Sequence, residues 1–111
     1  MRKALRGEVW LVDLGFTAKV RPCVVFSVPF GDDDRSVLTL VPHTTSLRGT
    51  KFEAALAVRF LKTGAFDAQG LITVPPAYLI RKLGVLSASQ VRSVEAVVQL
   101  WLGLDRAMFR D

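Results

Sequence analysis

The hydrophobic pattern of this chain changes period once, and that change limits the folds open to it. Up to Pro75-Pro76 the apolar residues come in short runs rich in β-branched and aromatic side chains, each closed by glycine, proline or acidic turn residues. Gly7 to Leu14 stops at Gly15, Val20 to Val28 ends at Pro29, and Ser36 to Pro42 follows the turn around Asp32, Asp33 and Asp34. Phe52 to Val58 and Gly70 to Val74 supply two more, so at least five short strands are predicted, the first two joined as a hairpin through Phe16 to Lys19. After the proline pair, Tyr78 to Leu83 reads as a short helix that Gly84 ends. Ser87-Ala88-Ser89-Gln90 has the form of a capping box, in which hydroxyl and amide side chains satisfy each other's free backbone groups. From there Val91, Val94, Val98, Trp101 and Leu102 share one face of a helix suited to cover a sheet, with Gly103 near its end. Strands followed by a helix predict a mainly β domain, a small barrel or curved sheet with a C-terminal helix.

The 111 residues suffice for one core and are read as a single domain spanning 1–111. The apolar stretch Ala96 to Leu104 is broken by Gln99 and Gly103 and falls short of a membrane span. Met1 to Arg6 is basic but leads into a strand-like run, not an apolar core with a cleavage site, so a cytoplasmic protein is expected. One cysteine, Cys23, and one histidine, His43, can form neither an internal disulfide nor a Cys/His metal site, and no cofactor is expected.

Charge points to a polyanion. Fifteen Lys and Arg stand against ten Asp and Glu, a net charge of +5, and three of the acids sit together at Asp32 to Asp34. The remainder is more basic still and suits phosphate or acidic partners. His43-Thr44-Thr45-Ser46, after a strand that Pro42 is expected to terminate, continues into Arg48-Gly49-Thr50-Lys51, a basic and hydroxyl-rich loop. Hydroxyls donate to phosphate oxygens, guanidinium matches them with a two-point fork, and lysine adds charge. Arg21 precedes Pro22, which pushes its backbone into extended geometry and gives its side chain a defined direction. His43 is the one side chain whose ordinary pKa, about 6.5, suits proton exchange near neutrality, although a lone histidine can equally be structural. Phe52 could stack a base or belong to the core.

Three blocks in order resemble the PemK/MazF family of toxin endoribonucleases. They are Arg6 to Leu14, then Arg21 to Ser27, then Val41-Pro42-His43-Thr44-Thr45-Ser46 with Phe52-Glu53-Ala54-Ala55-Leu56. The resemblance implies an SH3-like barrel that acts as a homodimer, cuts single-stranded mRNA without a metal, and is inhibited by a small acidic antitoxin. It implies that Arg21 and Thr45 carry the cleavage. With His43 they form the expected catalytic set, and Ser46, Thr44, Arg48, Lys51, Lys19 and Gln69 are the expected RNA contacts. The chemistry would be attack by the RNA's own 2′-hydroxyl on phosphorus, leaving a 2′,3′-cyclic phosphate and a 5′-hydroxyl, with Arg21 steadying the extra negative charge.

The chain also departs from the family. Its loop from Gly15 to Val20 is short, and the acidic side chain some relatives offer there has no counterpart, so no general base is named. Near Phe66 to Gln69 only Asp67 and Gln69 stand where relatives place polar and basic residues. Two alternatives stay open on the sequence: a catalytically silent RNA-binding barrel, and a gyrase poison resembling CcdB, to which Leu100 to Leu104 bear a faint likeness.

Overall fold

The computed structural model describes residues 4–15 and 19–104. Seven strands and one helix follow in the order β1 (Glu8–Asp13), β2 (Val20–Val25), β3 (Leu38–Thr44), β4 (Glu53–Ala55), β5 (Ala65–Asp67), β6 (Ile72–Val74), β7 (Leu79–Val85) and α1 (Ala88–Leu102). The main path of the sheet is β4-β5-β3-β2-β1-β7, with β6 paired to β3, and the strand pairings among the described residues are antiparallel. The sheet is barrel-like but not closed, since β4 and β7 end its path. The expected β1–β2 hairpin is present, with Trp10 opposite Cys23, and its tip at 16–18 lies outside the described residues.

Alternation along the strands buries both faces of the sheet. On one face Val9, Val24, Val41 and Phe66 pack against Val94 and Val98 of α1. On the other, Trp10, Val12, Cys23, Val25, Leu38 and Leu40 form a second core with Val74. Each fully buried valine or leucine contributes roughly 1.5–3 kcal/mol. Helix α1 begins as its capping box predicts: Gln90 N–H donates to Ser87 Oγ at 3.2 Å and Ser87 N–H to Gln90 Oε1 at 2.8 Å. Trp101 and Leu102, expected on its covered face, are exposed at its last turn.

Two expectations are corrected by long-range pairing, and one strand is added. Tyr78 to Leu83 is not a helix: Leu79–Val85 forms β7 along β1, because the outer edge of β1 would otherwise leave its N–H and C=O groups unpaired. Pro42 does not end its strand, which runs on to Thr44. There the outer neighbour of β3 changes from β6, opposite Leu38 to Leu40, to β5, opposite His43 and Thr44, so the missing proline N–H interrupts no ladder on that side. Ala65–Asp67, too short to announce itself, is a strand bridging β3 and β4.

Several charged groups near the chain start serve the fold. Arg6 donates to Phe26 O and to Glu95 of α1, and its guanidinium lies over the Phe26 ring, tying helix to sheet. Burial pushes the Glu8 carboxyl up. Hydrogen bonds from Leu5 N–H, the Trp10 indole and Lys82 outweigh this and hold it below its ordinary value. Burial also pushes the Cys23 thiol up to about 12, against a smaller opposing pull from Arg21. A soluble maleimide is therefore expected to leave Cys23 unmodified at pH 8 and to label it fully in denaturant; rapid native labelling would show this core to be open.

Candidate active site

The geometry of the site follows from strand register. The β2–β3 pairing sets Cys23 opposite Pro42, Val24 opposite Val41 and Val25 opposite Leu40. Continued by two residues, that register brings Arg21 level with Thr44 and on the same face, because side chains alternate with period two. The β3–β5 pairing of His43 with Phe66 continues to place Asp67 level with Pro42, and Glu53 pairs with Asp67 across β4 and β5. Four strands thus project Arg21, Thr44, Asp67 and Glu53 from one sheet face.

These residues line one cavity of about 320 Å³, with Leu14, Pro42, Ser46, Arg48, Gly70 and Ile72 completing its wall. The size is at the small end for ligand clefts, which run to about 300–1,000 Å³. Arg21 is half-buried where β2 begins, next to the Pro22 that holds its backbone extended. Ser46 N–H donates to Thr44 Oγ1 at 3.0 Å, which turns the chain after β3 and leaves the Thr44 hydroxyl hydrogen for an acceptor in the cavity. A larger apolar hollow of about 700 Å³, lined among others by Trp10, Phe30, Pro75 and Leu79, lies apart from this cluster. Among the described residues its lining has a single carboxylate, Asp32, and no basic side chain.

The loop after Ser46 is shaped by Glu53. Its carboxylate accepts from the backbone N–H groups of Arg48 at 3.1 Å, Gly49 at 2.8 Å and Thr50 at 3.3 Å. Phe52 anchors the next step, stacking edge-on against Trp101 of α1 with ring centroids 5.1 Å apart. The loop is therefore held from both ends, and Arg48 is carried to the cavity rim.

The structure sorts the expected site residues. Arg21, Thr44, Ser46 and Arg48 share the cavity. Thr45, expected beside Arg21, stands exposed at the bend between Thr44 and Ser46 and does not line it; the hydroxyl on the arginine's face is that of Thr44, since neighbouring strand positions face opposite ways. Lys51 lies over the Phe52 ring, 5.3 Å from its centroid, and Lys19 and Gln69 are exposed outside the cavity wall. Phe52 packs on α1, not into the cavity. Two acceptors outside the expected set, Glu53 and Asp67, also line it. Their signal was an acid following the basic hydroxyl loop and another before Gln69.

His43 is the clearest correction. It is 4% exposed, stacks edge-on against Phe66 at 5.0 Å, and faces the helix-covered core, not the cavity. Its Nε2 has no hydrogen-bond partner among the described residues, and burial pushes its pKa below the ordinary value. A base whose folded pKa is depressed contributes stability that is full above its unfolded pKa, about 6.5, and is lost as pH falls below it. Denaturant midpoints are thus expected to fall between pH 8 and pH 5.5 more steeply in the wild type than in His43→Leu. Equal slopes in the two proteins would refute the assignment.

Comparison with known proteins bears on the family and the fold. The model of the PemK-like, MazF-like toxins of type II toxin–antitoxin systems matches residues 5–102. A mycobacterial endoribonuclease solved in complex with its cognate antitoxin superposes with a TM-score of 0.78 at 24% identity, covering 90% of this chain and 95% of that one. The toxin MazF-mt6 of Mycobacterium tuberculosis gives 0.74 at 25% identity, covering 88% and 98%. MazE-MazF from Deinococcus radiodurans gives 0.76 at 17% identity, covering 94% and 100%.

Proposed function

This chain belongs to the family of PemK-like, MazF-like toxins of type II toxin–antitoxin systems, and from that membership we propose that it is an endoribonuclease that cuts single-stranded mRNA by transesterification. The observation that carries the proposal is the convergence of Arg21, Thr44, Ser46 and Arg48 on one small cavity. A scissile phosphate there meets a guanidinium fork, two hydroxyls and a second cation, held by the fold before substrate arrives.

The RNA supplies its own nucleophile. Its 2′-hydroxyl attacks the adjacent phosphorus, the 5′-oxygen leaves, and the fragments end in a 2′,3′-cyclic phosphate and a 5′-hydroxyl. Arg21, too basic to accept a proton, stabilises the charge that builds on the phosphoryl oxygens. Thr44 donates its hydroxyl hydrogen to one of them, and Arg48 grips a neighbouring phosphate from the rim. This route needs no metal. It favours a single strand because attacking oxygen, phosphorus and leaving oxygen must align, which a paired backbone resists.

A small acidic antitoxin is the proposed inhibitor, in keeping with the net charge of +5 and with a relative solved bound to its cognate antitoxin. A homodimer, as the family resemblance implies, working in the cytoplasm completes the reading. The test is purified protein with single-stranded RNA in excess EDTA, with fragment ends mapped. Cyclic-phosphate and 5′-hydroxyl ends are expected, and a single 2′-deoxy substitution at the cut site should abolish cleavage there. Fragments with 3′-hydroxyl and 5′-phosphate ends, or RNA bound but left whole, would overturn the proposal, the second in favour of a silent RNA-binding barrel.

A further inference from the structure

The proposed reaction requires a group to accept the 2′-hydroxyl proton, and the residues on the cavity wall narrow the choice. His43 points into the opposite core. Arginine does not serve as a base. Hydroxyls need a base of their own. Among the described residues two carboxylates remain, Glu53 and Asp67.

They differ in what already occupies their oxygens. Glu53 accepts from three backbone N–H groups, which stabilise its anion and fix it as the core of the 48–50 loop. Among the described residues Asp67 uses only Oδ1, which accepts from Gln69 N–H at 3.0 Å as the cap of the 3-10 turn Ala68–Gly70. That bond orients the carboxyl and spares Oδ2. The residue beside Oδ2 is Gly70, itself on the cavity wall. A Cβ there would lie 2.8 Å from Pro42 Cγ and 3.4 Å from Asp67 Oδ2, so glycine keeps the approach to that oxygen open.

We propose that Asp67 is the general base of this site, its Oδ2 taking the proton from the attacking 2′-hydroxyl. The inference rests on the endoribonuclease reading above. In the step, the O2′–P bond forms as the O2′–H proton passes to Oδ2, and the P–O5′ bond breaks with its electron pair staying on O5′. The leaving O5′ takes a proton from water, and the proton later released by Asp67 neutralises the resulting hydroxide. Glu53 is the positioning residue of the loop that carries Arg48.

The test uses Asp67→Asn and Asp67→Ser, both of which keep an oxygen acceptor for Gln69 N–H. Single-turnover cleavage is expected to slow by roughly 10²–10⁴-fold in each. Affinity for an uncleavable RNA carrying 2′-deoxy at the cut site should stay within about threefold of wild type, because the carboxylate acts on a proton that this analogue lacks. The acid limb of the wild-type pH–rate profile should vanish in both variants. Wild-type rates in either variant, or a loss of analogue binding that matches the loss of cleavage, would overturn the assignment while leaving the nuclease reading intact. A wild-type protein that does not cut RNA would overturn both.

Discussion

Replacing Arg21 with alanine is expected to lower kcat/KM for RNA cleavage on the order of 10³-fold, about 4 kcal/mol of transition-state stabilisation. The size follows from its place: a guanidinium half-buried at the start of β2, inside a cavity of about 320 Å³ where water screens charge less than at an open surface. Its neighbours decide how the loss divides. Thr44 sits level with Arg21 on the same sheet face, so Thr44→Ala should cost about 10- to 100-fold and Thr44→Ser should restore most of it by returning the hydroxyl. Thr45→Ala, one residue along and outside the wall, should remain within about twofold of wild type. Arg21→Lys keeps the charge but loses the planar fork and should fall between wild type and alanine. Steady-state kinetics on a short RNA, with thermal midpoints as a folding control, checks all four. An active Arg21→Ala enzyme, or a Thr45→Ala loss larger than that of Thr44→Ala, would remove the basis of the proposed chemistry.

Gly64→Ala is expected to be the most damaging small substitution in the sheet. A Cβ at Gly64 would lie 2.2 Å from the carbonyl oxygen of Thr44 and 2.7 Å from Cε1 of His43. The first of these is backbone held in the β3–β5 ladder, where Thr44 pairs with Ala65, and it cannot swing aside as a flexible side-chain end would. Relief requires pulling β5 from β3. Overpacking of this kind costs about 3 kcal/mol, which for a domain of this size lowers the thermal midpoint by more than about 10 °C. The same displacement moves Thr44 and Asp67, so residual cleavage should fall further than the folded fraction alone explains. Urea unfolding with a shared m-value measures the stability change, and a loss below about 1 kcal/mol would show that β5 yields easily.

The distinction between local and long-range order explains which features of this molecule could be read before its fold was known. The capping box at Ser87 to Gln90 and the valines of α1 obey a period set within a few residues, and the helix appears where they put it. The β1–β2 hairpin depends on a short connection and two β-rich runs, and it too is present. Leu79–Val85 shows the opposite case. Its composition permits a helix, and it becomes a strand because β1, some seventy residues earlier in the chain, presents an unpaired edge.

The site divides in the same way. Residue types and their order announce a basic, hydroxyl-rich constellation around Arg21 and the loop from Thr44 to Lys51, together with the family to which the chain belongs. Local chemistry suffices for that, because guanidinium and hydroxyl groups suit phosphate wherever they stand. It does not reveal which of two adjacent threonines meets the arginine, that the lone histidine turns into the core, or that Glu53 and Asp67 come to face Arg21. Those outcomes depend on the pairing of β2, β3, β4 and β5, where a shift of one residue sends every side chain to the opposite face, and that register is settled only when the two cores close on either side of the sheet.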